Sequence, residues 1–246
     1  VEIDDVTRIP EILSRAWITA TTGRPGPVVV ALPENMLTSR TETAPLTGPA
    51  HIAESAPEPG ALREALALLA GARRPAILLG GCNWTEDGKT ALKAFAEASD
   101  IPVVAALRYQ DMFDNHSSCY AGDLGLGLAP GVRKTIAEAD VILALNTRFG
   151  EISTEGYTLF HVPQPRQKII HVHGSVAEIG KIYIPALGIL AGPNAFVAAL
   201  TPVKGDWAEW RARARSDYEA TFAVPPQPSP VDMGGVIAHL SEVLPE

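Results

Sequence analysis

Short apolar runs alternate with stretches of helical spacing through the middle of this chain. The clearest run is Pro75-Ala76-Ile77-Leu78-Leu79-Gly80-Gly81. An uncharged apolar segment closed by two glycines reads as a strand buried on both faces, the kind found inside a parallel sheet. A polar turn, Cys82-Asn83-Trp84, leads from it into a helix beginning near Thr85. The unit recurs at 102–106, 141–145, 168–172 and 186–190, with helical patterns between. This alternation predicts an α/β fold: a doubly wound, mostly parallel, Rossmann-like sheet of about six strands with helices on both faces. Any ligand crevice then lies at the C-terminal ends of the strands.

The pattern changes towards both ends. Thr7 to Thr22 has helical spacing, with Pro10 in the first turn and Leu13, Ala16, Trp17 and Ala20 on one face. Gly23-Arg24-Pro25-Gly26 breaks it, and 27–32 reads as a buried strand stopped by Pro33. One helix and one strand cannot close a core, so 1–35 reads as the end of another domain. Residues 36–57, rich in Thr, Pro, Ala and Glu, read as a linker. The α/β repeats occupy 58–203. In the helix-and-linker stretch 204–230, Trp207, Trp210, Ala214 and Tyr218 share one helical face, as if leaning on a partner surface. Arg211, Arg213 and Arg215 point elsewhere and read as a solvated face. A proline-rich linker at 224–230 precedes a last helix in 231–246, with Val236, Ile237, Leu240 and Leu244 as its apolar positions.

Composition narrows the classes. The chain has 246 residues, 46% of them hydrophobic, enough for a full core. No apolar run approaches the roughly 18 residues of a membrane span. A net charge of −8 disfavours a nucleic-acid surface, which needs a basic stripe. Two cysteines, Cys82 and Cys119, fit no metal spacing and read as free thiols of a reducing, cytoplasmic compartment. No targeting signal is visible, and the absent initiator Met reads as a trimmed chain.

Several segments together carry a family resemblance. Residues 23–35, Gly-Arg-Pro-Gly-Pro-Val-Val-Val-Ala-Leu-Pro-Glu-Asn, resemble the end of the pyrimidine-binding domain in thiamine-diphosphate enzymes of the acetolactate synthase type. Arg73-Arg74-Pro75 through Gly81 is similar to the first strand of their central domain, and 139–149 to a later strand. Residues 169–172 with Ala177-Glu178-Ile179-Gly180-Lys181 resemble the unit after that. Pro230-Val231-Asp232 onward resembles the entry to the diphosphate-binding domain. The segments cover essentially the whole chain in family order.

The resemblance implies a central structural and interface domain from a decarboxylase or carboligase that uses thiamine diphosphate and magnesium. It implies missing pyrimidine- and diphosphate-binding domains as partners, and a homo-oligomer. The family's activating glutamate and Gly-Asp-Gly motif lie outside these residues, and Gly122-Asp123 is followed by Leu124. No catalytic residue, metal ligand or bound cofactor is therefore expected here, and the fragment is expected to be inactive alone. The alternative is a module retaining FAD or ADP, with Gly80, Gly81 and Arg148 as its cofactor-binding residues.

Glycines at a strand end let a diphosphate approach the backbone, and Arg148 falls where flavin-binding relatives carry an arginine. Against this, Glu86 and Asp87 occupy the first turn of the next helix and repel phosphate. Asn146 stands where the family has glycine, and His173 and Ser175 replace its acidic pair. The glycines also read simply as tight turns. A third reading, an independent NAD-using enzyme, lacks a Gly-x-Gly-x-x-Gly after the first strand.

Gly122, Gly125, Gly127 and Gly131 read as a flexible loop rather than a dinucleotide fingerprint. The loop 108–116 has polar groups able to face a neighbouring site or solvent. His171 and His173 share a strand face, as a metal pair or as packing histidines, and no carboxylate or Cys stands at ligand spacing. Neither cysteine has a histidine partner for nucleophilic catalysis.

Overall fold

Six strands run parallel in the computed structural model, which describes residues 1–81, 83–223 and 231–244. They are β1 (Pro75–Leu79), β2 (Val103–Ala106), β3 (Tyr120–Leu124), β4 (Val141–Leu145), β5 (Lys168–His173) and β6 (Leu187–Leu190). The spatial order is β3-β2-β1-β4-β5-β6, and every pairing is parallel. The chain enters at the centre, builds outwards to β3, then returns past β1 to build the other half. This is a doubly wound α/β sheet, and its switch point lies between β1 and β4.

Burial explains the sequence pattern. Every residue of β1 and β4 is buried, so neither tolerates a charge. Around the sheet lie α3 (Pro59–Ala70) before β1, α4 (Glu86–Ala98) between β1 and β2, α5 (Pro130–Glu138) between β3 and β4, and α6 (Pro193–Ala199) after β6. The Glu58 carboxylate caps α3 by accepting from the Gly60 and Ala61 amides. Thr85 caps α4 through the Gly88 amide, which fixes its start, and Leu92, Phe95 and Ala96 face inwards. Helices α4 and α6 pack on each other, while α5 flanks β3.

One strand was hidden in the sequence. The glycine-rich stretch from Gly122, expected as a loop, begins inside β3. Tyr120, Ala121 and Leu124 are buried beside β2, and a register irregularity between Val103 and Ala105 accommodates the strand. Gly122 adopts φ +92°, and a Cβ there would press on Val132 and Tyr218. The glycine is a packing requirement rather than a hinge.

The largest correction concerns α7 (Ala208–Glu219). Its aromatic stripe does not await a partner; it completes this domain's own core. Trp207 is 2% exposed and Trp210 7%. Their indole N–H groups donate to the carbonyls of Ala72 (3.0 Å) and Pro75 (2.7 Å). Tyr218 meets Tyr120 edge-on, with ring centres 5.0 Å apart. The arginines are not a free solvated face either. Arg211 pairs with Asp100 (2.9 Å) and Arg213 with Glu138 (2.8 Å). Arg215 pairs with Glu219 and donates to the carbonyls of Asn115, Ser117 and Tyr120.

The N-terminal piece holds α1 (Ile9–Thr21) and the short α2 (Glu34–Leu37) around a small cluster of Ile3, Ile12 and Met36. The expected buried strand at 27–32 does not form. Ala31 makes one bridge to Glu2, while Val29 is 80% exposed. An extended segment becomes a strand only beside others, and this one has a single short neighbour. Leu13 and Trp17 of α1 face outwards. At the other end, α8 (Met233–Val243) leaves Val236, Ile237, Leu240 and the following Leu244 exposed. The linker at 224–230 and Cys82 lie outside the described residues. Among the described residues no helix is long and apolar enough to cross a membrane.

Candidate functional site: the crevice at the switch point

The C-terminal ends of β1, β4 and β5 deliver Gly81, Asn146, Arg148 and His173 to one hollow of about 450 Å³, which Arg24 and Pro25 of the N-terminal piece also line. A second hollow of about 410 Å³ shares Gly81, Asn146 and Arg148 and extends towards Glu151 and Ser153. Tyr109, from the loop after β2, lines both.

Gly80 and Gly81 have different duties. A Cβ on Gly80 would sit 3.0 Å from Thr147 Cα, so this glycine lets the ends of β1 and β4 approach. Its N–H donates to Leu145 (2.9 Å), and its carbonyl accepts from the Trp84 indole (3.1 Å). Gly81 adopts φ +79°, and the space a Cβ would need is filled by Asn146, side chain and carbonyl. Asn146 is itself buried in the left-handed region at φ +53°. Arg148 is exposed at the mouth. The structure thus brings Gly81 and Arg148 to one cavity, while Gly80 is taken up by strand packing.

His171 and His173 share a face as expected, and both are buried. His171 Nε2 lies 2.9 Å from the Thr147 carbonyl, and His173 Nδ1 accepts from the Ser175 amide at 2.9 Å. Burial holds both imidazoles neutral. It pushes His173 down to about 4, helped by neighbouring His171 and Arg24 and opposed by Glu178. Among the described residues no three His, Cys, Asp or Glu side chains group to hold a metal. Cys119 is buried, and desolvation pushes its thiol up to about 11, far from a nucleophilic thiolate.

Sequence reasoning missed Glu178. Its side chain is 3% exposed and accepts from Arg24 at 2.6 Å, with Lys181 at 3.6 Å. Beside this pair, a Cβ on Gly174 would lie 3.0 Å from the Gly23 carbonyl. The N-terminal piece is therefore latched to the loop after β5. Both partners lie in motif segments, yet 154 positions separate them, and no local pattern links residues so far apart.

The Gly-Asp pairs lie elsewhere. Asp123, on β3, accepts from the Gln110 amide at 3.2 Å. Gly205-Asp206 precedes α7, with the Trp207 ring folded over Gly205. The first turn of α4 carries Glu86, paired with Lys89 at 2.6 Å.

Comparison with known proteins supplies the context. Residues 62–200, more than half of the chain, match the family model described as thiamine pyrophosphate enzyme, central domain. The chain is 31% identical over 229 residues to the acetolactate synthase isozyme 1 large subunit of Escherichia coli K12, covering 89% of this chain and 39% of that protein. It is 28% identical over 208 residues to glyoxylate carboligase of Escherichia coli O157:H7, covering 82% and 34%. It is 31% identical over 220 residues to chloroplastic acetolactate synthase 1 of Zea mays, covering 84% and 34%. The chain thus spans little more than a third of the length of these relatives.

Proposed function

Because this chain belongs to the thiamine pyrophosphate enzymes, as their central domain, we propose that it is the structural and interface core of a decarboxylase or carboligase acting on 2-keto acids. The observation that carries this reading is the match over 62–200, extended on both sides by the acetolactate synthase and glyoxylate carboligase relatives.

These residues do not fit thiamine diphosphate or its magnesium. The carboxylate of Asp123 is committed to Gln110 on an edge strand, and Gly122 beside it is packed under Val132 and Tyr218. Gly205 lies under an indole ring. The diphosphate and metal belong, in this reading, to domains beyond these residues. The central domain's own work is mechanical. Its loop after β5 receives the pyrimidine-side segment through Arg24 and Glu178.

The experiment is an assay of the longer protein that contains these residues. With thiamine diphosphate and magnesium, CO₂ release from pyruvate or glyoxylate is expected. Absence of turnover with any 2-keto acid overturns the proposal.

A further inference from the structure

In a sheet wound this way a dinucleotide lies across the switch point, with its diphosphate at the N-terminus of the first crossover helix. Here that helix is α4, and protein already fills the position. Asn194 Oδ1 accepts from the Thr85 amide (2.8 Å) and hydroxyl (3.1 Å). Its Nδ2 donates to the Asn83 carbonyl (2.7 Å) and to Glu54 Oε1 (2.5 Å). The second oxygen of Glu54 accepts from the Ala195 amide at 3.0 Å, and the next linker residue, Ser55, accepts from the Gly192 amide at 2.9 Å.

Two glycines make room for this arrangement. A Cβ on Gly192 would collide with the Glu54 carboxylate, and one on Gly88 would collide with Asn194 Oδ1. We infer that Glu54 of the linker, lining a hollow of about 160 Å³ that adjoins the crevice and shares Gly23 and Asn146 with it, is an anionic occupant built into the protein, which Asn194 ties to the head of α4, and that this plug excludes dinucleotides. The rest of the crevice agrees. Asn146 covers Gly81, His173 and Ser175 stand where a ribose acceptor is needed, and the nearby carboxylate of Glu178 is buried against Arg24. The flavin of flavin-binding relatives therefore does not fit this chain. The inference rests on the fold and these contacts, not on the enzymatic reading.

Amide hydrogen exchange on the 246-residue chain tests it, with the β1 and β4 amides reporting that the fold is intact. Glu54→Ala should speed exchange at Ala195 and Thr85 by about tenfold or more, the scale of a lost charge-assisted hydrogen bond. Gly192→Ala, which displaces the carboxylate by sterics alone, should do the same. Calorimetric titration of the unmodified chain with ADP and with FAD should give no binding heat. Unchanged exchange in Glu54→Ala overturns the plug. Micromolar binding of either nucleotide to the unmodified chain, or a yellow preparation, overturns the exclusion.

Discussion

At the residue scale the switch point is organised by groups with one electrostatic requirement each. His173 is neutral in the fold, at about 4 against an ordinary 6.5, because burial, His171 and Arg24 outweigh the attraction of Glu178. An unfolded chain takes up that proton between the two values. The contribution to stability is therefore complete above about pH 6.5 and is lost as pH falls towards 4, by at most about 3 kcal/mol. His171, also shifted downwards by burial, adds in the same direction. Urea denaturation between pH 7 and pH 4.5 should show a steeper loss for the unmodified chain than for His173→Gln. Equal slopes would remove His173 from the account. The sequence shows that the two histidines share a face, because strand periodicity is local. It does not show Glu178, whose partner lies far along the chain.

At the element scale α7 is the decisive helix. Trp210 fills a buried slot, bonds the Pro75 carbonyl at the start of β1 and lies under the Arg213 guanidinium, 4.6 Å from its ring centre. Trp210→Ala removes the ring, the hydrogen bond and the stacking together, and should cost about 3–5 kcal/mol in chemical denaturation. A loss below about 1 kcal/mol would return α7 to the role of an external arm. The amphipathic stripe was legible, but a stripe states only that a face is covered. Which surface covers it depends on the path of the chain between 200 and 207, where no periodicity speaks. The same limit hid β3. Its interior Gly-Asp interrupts the apolar run, whereas β1 and β4, buried throughout, are plain in the sequence. The 27–32 segment failed for the opposite reason: its residues have strand character, but the neighbours that make a strand are not beside it.

At the scale of the whole molecule, the core around the central sheet is covered, whereas both ends leave apolar side chains exposed. Leu13 and Trp17 of α1, Val29, and the apolar positions of α8 are exposed, a pattern that favours association. Light scattering on the chain should show self-association, probed over a wide concentration range; a strictly monomeric species would contradict this. Under the proposed function this chain is the non-catalytic middle of a thiamine-diphosphate enzyme. Titration calorimetry of the 246-residue chain with thiamine diphosphate and magnesium tests that claim most directly. No binding heat is expected, because the Asp123 carboxylate is held by Gln110 and Gly122 beside it is packed under Val132 and Tyr218. Saturable binding at micromolar concentration would contradict it.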